Sequence, residues 1–165
     1  MAKPRNYRDR QFNQRFSEMG DTAEGAFEEV MPFGKPYRYG WNRNADHRLM
    51  PDFVSYTPDY YTGRGALVEV MGCSGDKVRA MKVEKWEAMR TWAKVYDGPL
   101  LYFFWNSGRR HWTLIEHEEM RKIITAARRE GRIERFDSDG VEYYALTWAE
   151  IVSRQLDGGE HHHEQ

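Results

Sequence analysis

Cysteine is almost absent from this sequence. Cys73 is the only one in 165 residues, so no disulfide forms within the chain, and a reducing, cytoplasmic compartment is expected. Long hydrophobic runs are missing too. The longest, Leu100-Leu101-Tyr102-Phe103-Phe104-Trp105, falls far short of the ~20 residues that cross a bilayer. The basic N-terminus has no apolar core behind it, so it does not read as a secretory leader, and no membrane partner is expected. Nor is there an excess of one charge. Lys and Arg total 25 and Asp and Glu 26, for a net of −1, which excludes a chain coated in basic residues. There is no internal repeat and no Gly-rich phosphate loop followed by Lys-Ser/Thr. Cys73 lacks zinc-ligand spacing to other Cys or His, and His47 and His111 lack partners that would define a triad.

Aromatic residues, by contrast, are plentiful: six Trp, ten Tyr and eight Phe supply large buried or stacking surfaces in an otherwise polar chain of mean hydropathy −0.88. The length fits one domain. Residues 1–156 read as that domain, with a basic helical segment over 1–30, a core over 31–131 and a C-terminal hairpin and helix over 132–156. A flexible tail is expected over 157–165.

Hydrophobic periodicity predicts helix from about Tyr7 to Val30, with a break at Gly20-Asp21 and Asp21 or Thr22 as a second N-cap. Strands are expected at 37–41, 51–56 and 66–72, with Gly72, Gly75 and Asp76 in a loop. A helix is expected at 82–96, and a central strand buried on both faces at 99–105. A partner strand at 111–115, a helix at 116–130 and a hairpin of 132–136 with 141–146 follow. Thr147 caps a last helix through Leu156. This order predicts a mixed sheet with helices packed on it.

Glu69 is the anomaly in this pattern. It sits in the middle of Leu67-Val68-Glu69-Val70-Met71, where a charge is costly unless paired. Asp52 follows Pro51 at the start of the neighbouring strand. Two strand carboxylates facing one cleft suit a hard cation such as Mg²⁺ or Mn²⁺. Spacing alone leaves a second reading open, in which Glu69 pairs with a Lys or Arg and Asp52 caps a turn.

Pro51-Asp52, then Glu69-Val70-Met71 on an apolar strand, preceded by a helix holding Asp21-Thr22-Ala23-Glu24, resembles the PD-(D/E)XK nuclease superfamily. The likeness is nearest to small phage- and archaeal-type Holliday junction resolvases and covers roughly residues 15–115. It implies a restriction-endonuclease-like α/β fold, Mg²⁺-dependent (Mn²⁺ as substitute) hydrolysis of DNA phosphodiesters, and a role in recombination or repair. It also implies branched DNA as partner, a homodimer, and a host-cytoplasm location if the chain is phage-encoded. Carried over by position, Asp52 and Glu69 match the metal-binding acids. Val70 would offer its carbonyl, and Glu24 matches the helical Glu, with Glu28 as fallback.

One position departs from the pattern. Met71 stands where the family has its catalytic Lys, on the same strand face as Glu69. The next segment offers Lys77, Lys82 and Lys85. Lys82, near the start of the following helix, is the first choice for a migrated lysine and Lys85 the second. Met71 also supports a rival, an inactive nuclease-like module that binds DNA or a protein. An exonuclease or packaging nuclease is a third reading.

Local charge fits a nucleic-acid partner better than the total does. Lys3, Arg5, Arg8, Arg10 and Arg15 face Asp9 alone in residues 1–16. Lys77, Arg79, Lys82, Lys85, Arg90 and Lys94 face Glu84 and Glu87 in residues 77–94. Arg109-Arg110 adds a smaller patch. Tyr60 and Tyr61, in a loop, are candidates for stacking on unpaired bases. Trp41 reads as core, and Asp59 as a decoy or secondary contact. His161-His162-His163 lies in the tail, a poor place for catalysis.

Overall fold

The computed structural model describes residues 18–19, 22–29, 36–38, 51–56, 65–136 and 140–156. Helix α1 covers 22–29. Strands β1 (Pro36–Arg38), β2 (Phe53–Tyr56) and β3 (Gly65–Cys73) come next, then β4 (Lys77–Val78) and helix α2 (Val83–Val95). β5 (Leu100–Asn106), β6 (His111–Glu116) and helix α3 (His117–Arg129) follow. The C-terminal part holds β7 (Ile133–Arg135), β8 (Glu142–Tyr144), β9 (Leu146–Thr147) and helix α4 (Trp148–Val152). The main sheet has the order β1-β2-β3-β5-β6, with β3 and β5 parallel and the other neighbours antiparallel. The α/β class read from the sequence therefore holds. Among the described residues, no helix is long and apolar enough to cross a membrane.

Strand alternation divides the core into two layers. Ala66, Val68 and Val70 of β3 join Leu101, Phe103 and Leu114 under Ala23, Ala26 and Phe27 of α1. Phe27 meets Phe53 and Phe103 at ring centroid distances of 4.9 and 5.1 Å. The opposite face presents Leu67, Met71, Tyr102, Phe104 and Ile115 to Trp86 and Met89 of α2 and to Met120, Ile123 and Ile124 of α3. β5 is buried from Leu100 to Phe104 because both layers cover it.

The connection from β3 to β5 runs through β4 and α2. Its far end is tied to the start of β3 by the Tyr96 hydroxyl, which donates to the Gly65 carbonyl. β7 and β8 form the expected hairpin strands. Arg132, between α3 and β7, makes a two-pronged ion pair with Glu150 at 2.9 and 3.0 Å. Glu150 also closes a capping box with Thr147. The hairpin and α4 are thereby fastened to each other.

Several boundaries differ from the sequence reading. The strands β4 and β9 pair with each other, but two residues are too few to show a period. α4 ends at Val152 rather than Leu156. Leu156 instead donates its N–H to Leu114 of β6 at 2.7 Å, and Gln155 accepts from Thr113 at 3.0 Å, so sheet-edge bonds replace a further helical turn. Gly72 lies in β3 and not in a loop. Its role is space: a Cβ there would stand 2.5 Å from the Met19 carbonyl oxygen. The backbone before α1 thus rests directly on the strand. The proposed break at Gly20-Asp21 lies outside the described residues.

Gly72→Ala must therefore displace the 18–19 segment and is expected to destabilise the fold by about 1–3 kcal/mol. Gly25→Ala, in α1 with nothing within 4 Å, is expected to be neutral or to stabilise by up to ~1 kcal/mol. Thermal unfolding followed by circular dichroism separates the two; equal melting temperatures would refute the close-approach account.

Candidate functional site

Glu69 points into the apolar layer beneath α2, because its strand neighbours Val68 and Val70 face the α1 layer. It is only 6% exposed. A buried carboxylate needs compensation, and the partner comes from α2. Lys85 Nζ lies 3.0 Å from Glu69 Oε1, with the lysine side chain 13% exposed. Lys85 precedes the buried Met89 by four residues, so one helical face carries both.

Asp52 enters from the other side. The β2–β3 register pairs Phe53 with Val68, so one further step sets Asp52 opposite Glu69. Its Oδ2 accepts the Val70 N–H at 2.8 Å, a bond that fixes the carboxylate beside the strand. Two carboxylates and one ammonium then share a buried site. Glu69 Oε2 is buried and has no hydrogen-bond partner among the described residues.

The electrostatics follow from that imbalance. Burial first, and then the Asp52 charge, push the Glu69 carboxyl well above its ordinary range; the Lys85 ammonium opposes this without cancelling it. Burial also raises the Asp52 carboxyl, against the pull of Lys85 and the Val70 N–H, and the Glu24 charge adds to the rise. A proton held on one carboxyl is within reach of the other. The site therefore favours either a proton or a cation between the two acids.

The side of Glu69 away from Asp52 is walled by aromatics. Tyr102 is its partner on β5 and is fully buried. The Tyr102 hydroxyl lies 2.8 Å from His117 Nδ1, at the first residue of α3. The His117 ring stacks on Trp86 at 5.1 Å and 17°. Burial raises the Tyr102 phenol, with the Glu69 charge adding, and burial lowers the His117 imidazole, so both shifts favour a neutral pair.

The structure thus brings together Asp52, Glu69 and Lys85 from the expected set. It does not bring Lys82, the lysine preferred from sequence. Lys82 is exposed at the N-cap of α2, bridges to Tyr143 of β8, and holds its ammonium 5.9 Å over the Tyr143 ring. The hairpin draws it away from the acids. Glu24 lies on α1 with its charge felt at Asp52, but it does not complete a metal cluster. Among the described residues, no group of three or more His, Cys, Asp or Glu has metal-ligand spacing. Val70 meets Asp52 through its N–H. Glu28 is exposed.

The basic stripe over 77–94 is partly offset. Arg79 pairs with Glu134, and Arg90 with Glu87 at 3.0 Å. Lys77 is exposed on β4. Arg109 pairs with Asp76. Arg5, Arg8, Arg10, Arg15, Trp41, Asp59, Tyr60, Tyr61 and the tail histidines lie outside the described residues. Sequence reasoning did not single out Tyr102, Trp86 or His117, because aromatic residues in a strand and a helix read as ordinary core.

No family model, curated protein or solved structure matches the chain.

Metal-free protein should lose stability as pH rises above the ordinary Glu range, since the unfolded chain then releases the Glu69 proton while the folded chain retains it. Glu69→Gln removes that loss and leaves one carboxylate with one ammonium. Its melting temperature in EDTA is expected to exceed the wild type's, by a margin that widens from pH 5 to pH 8. A wild type that is the more stable protein at pH 8 would overturn the charge account.

Proposed function

We propose that the chain is a metal-dependent deoxyribonuclease with a restriction-endonuclease-like core, acting on branched DNA such as a four-way junction. The observation that carries this reading is the ion pair from Lys85, on the helix after the Glu69 strand, to a carboxylate that also faces Asp52. A lysine reaches the acids although the residue two after Glu69 is Met71. That favours a migrated lysine over an inactive binding module.

The donor set fits a hard divalent cation. Both side chains offer oxygen, Glu69 Oε2 lacks a hydrogen-bond partner among the described residues, and the Lys85 ammonium does not balance two carboxylates. Mg²⁺ is commonly held by one or two carboxylates together with waters and substrate phosphate oxygens. Such an ion supplies a more acidic water and positive charge beside a phosphoryl group.

The chain's own residues do the rest. Asp52, pinned by the Val70 N–H, keeps one carboxylate oxygen fixed beside the strand. Lys85 holds Glu69 by Oε1, which leaves Oε2 for the cation. Its ammonium stands where it can orient the attacking water or offset charge gathering on phosphorus. Walls of Tyr102, Trp86 and Met71 keep the surrounding dielectric low, which strengthens these effects. A junction cut by two symmetric incisions calls for a homodimer.

The test is incubation of a four-way junction, a flap and a linear duplex with Mg²⁺ or Mn²⁺, and with EDTA. Paired nicks in the junction, absent in EDTA, are expected. Asp52→Asn, Glu69→Gln and Lys85→Met should each lower the rate by about 10²-fold or more, and Lys82→Met should leave it nearly unchanged. Failure of the wild type to cut any of the three, with DNA binding intact, would refute the enzyme. Loss of activity in Lys82→Met with retention in Lys85→Met would refute the lysine assignment.

A further inference from the structure

Lys85 carries a flexible four-carbon stem, and holding its ammonium on one carboxylate oxygen costs rotamer entropy. Something must fix the helical turn that bears it. The next residue, Trp86, is 2% exposed and stacks on His117. His117 in turn lies near parallel to Tyr102, at 5.9 Å and 27°, and is hydrogen-bonded to its hydroxyl. Tyr102 is the β5 partner of Glu69. A closed circuit results: Glu69 to Tyr102 across the sheet, Tyr102 to His117 on α3, His117 to Trp86 on α2, and Lys85 back to Glu69. Four elements, β3, β5, α3 and α2, meet in it, and its one side-chain hydrogen bond outside the acidic site is that between Tyr102 and His117.

We propose that Tyr102 and His117 are positioning residues that hold the Lys85 turn of α2 in register with Glu69. Neither needs to touch substrate. The hydroxyl locks the imidazole plane, the imidazole is the platform for Trp86, and Trp86 fixes the start of α2 at the point from which Lys85 reaches the acid. Ordinary core packing would need only the ring of Tyr102, and a phenylalanine would serve as well. The buried hydroxyl and its single imidazole partner are what distinguish a positioning device from filler. The effect on cleavage rests on the function proposed above; the hold on Lys85 does not.

Two variants isolate the bond. Tyr102→Phe removes the hydroxyl, and His117→Phe removes the nitrogen while keeping a ring against Trp86. The first readout needs no activity: acylation of Lys85 by acetic anhydride in EDTA, followed by mass spectrometry, with exposed Lys82 as internal reference. Each variant is expected to raise the Lys85/Lys82 labelling ratio several-fold. The double variant should go no further than either alone, because both remove the same bond. The second readout is cleavage of the preferred DNA: kcat is expected to fall about tenfold while the Kd measured in EDTA stays within about twofold. Should Tyr102→Phe fail to fold, His117→Phe decides alone. An unchanged labelling ratio in the folded variants overturns the proposal whatever the enzyme does. A raised ratio in a protein whose wild type cuts no DNA supports the positioning and refutes the nuclease.

Discussion

Two carboxylates facing one ammonium in a buried layer is the constraint on which the rest of the arrangement depends. A single Glu69–Lys85 pair would be a self-contained buried salt bridge, at best neutral for stability. Adding Asp52 leaves a negative charge that the Lys85 ammonium does not cancel. The neighbouring architecture reads as a response to that surplus. The Val70 N–H takes one Asp52 oxygen, α2 delivers the lysine, and apolar side chains surround the remainder. A fold optimised for stability alone would place an apolar residue at 69, as it does at 67 and 71.

The sheet makes this geometry economical. Asp52, Glu69 and Tyr102 belong to adjacent strands at the same level, so backbone pairing alone aligns them. Only the lysine has to come from another layer. Met71 fills the layer beneath α2, and the ammonium reaches Glu69 from the helix.

Much of the fold was legible in the sequence. The 99–105 run, the 82–96 periodicity and the Thr147 cap appear within a residue or two of β5, α2 and the α4 N-cap. Glu69 was legible for a physical reason, since a charge amid alternating apolar residues has few inexpensive explanations. The choice between Lys82 and Lys85 was harder. Both lie close to the N-terminus of the same helix, and the hairpin that captures Lys82 through Tyr143 is some sixty residues away in sequence. A reading of helix phase would have helped, because Lys85 shares the face of buried Met89. The Tyr102–His117 contact left no such signal. A tyrosine in a buried strand and a histidine opening a helix are each unremarkable until the sheet sets them together.

The parallel pairing of β3 with β5 also decides which segment carries the counter-charge. Asp52 and Glu69 belong to antiparallel segments that neighbour each other in sequence, whereas a parallel pair needs a long crossover, and Lys85 lies within it. The segment that joins β3 to β5 is therefore the one that brings the ammonium to the acids, so an insertion or deletion between β3 and α2 would move the charge as well as the chain.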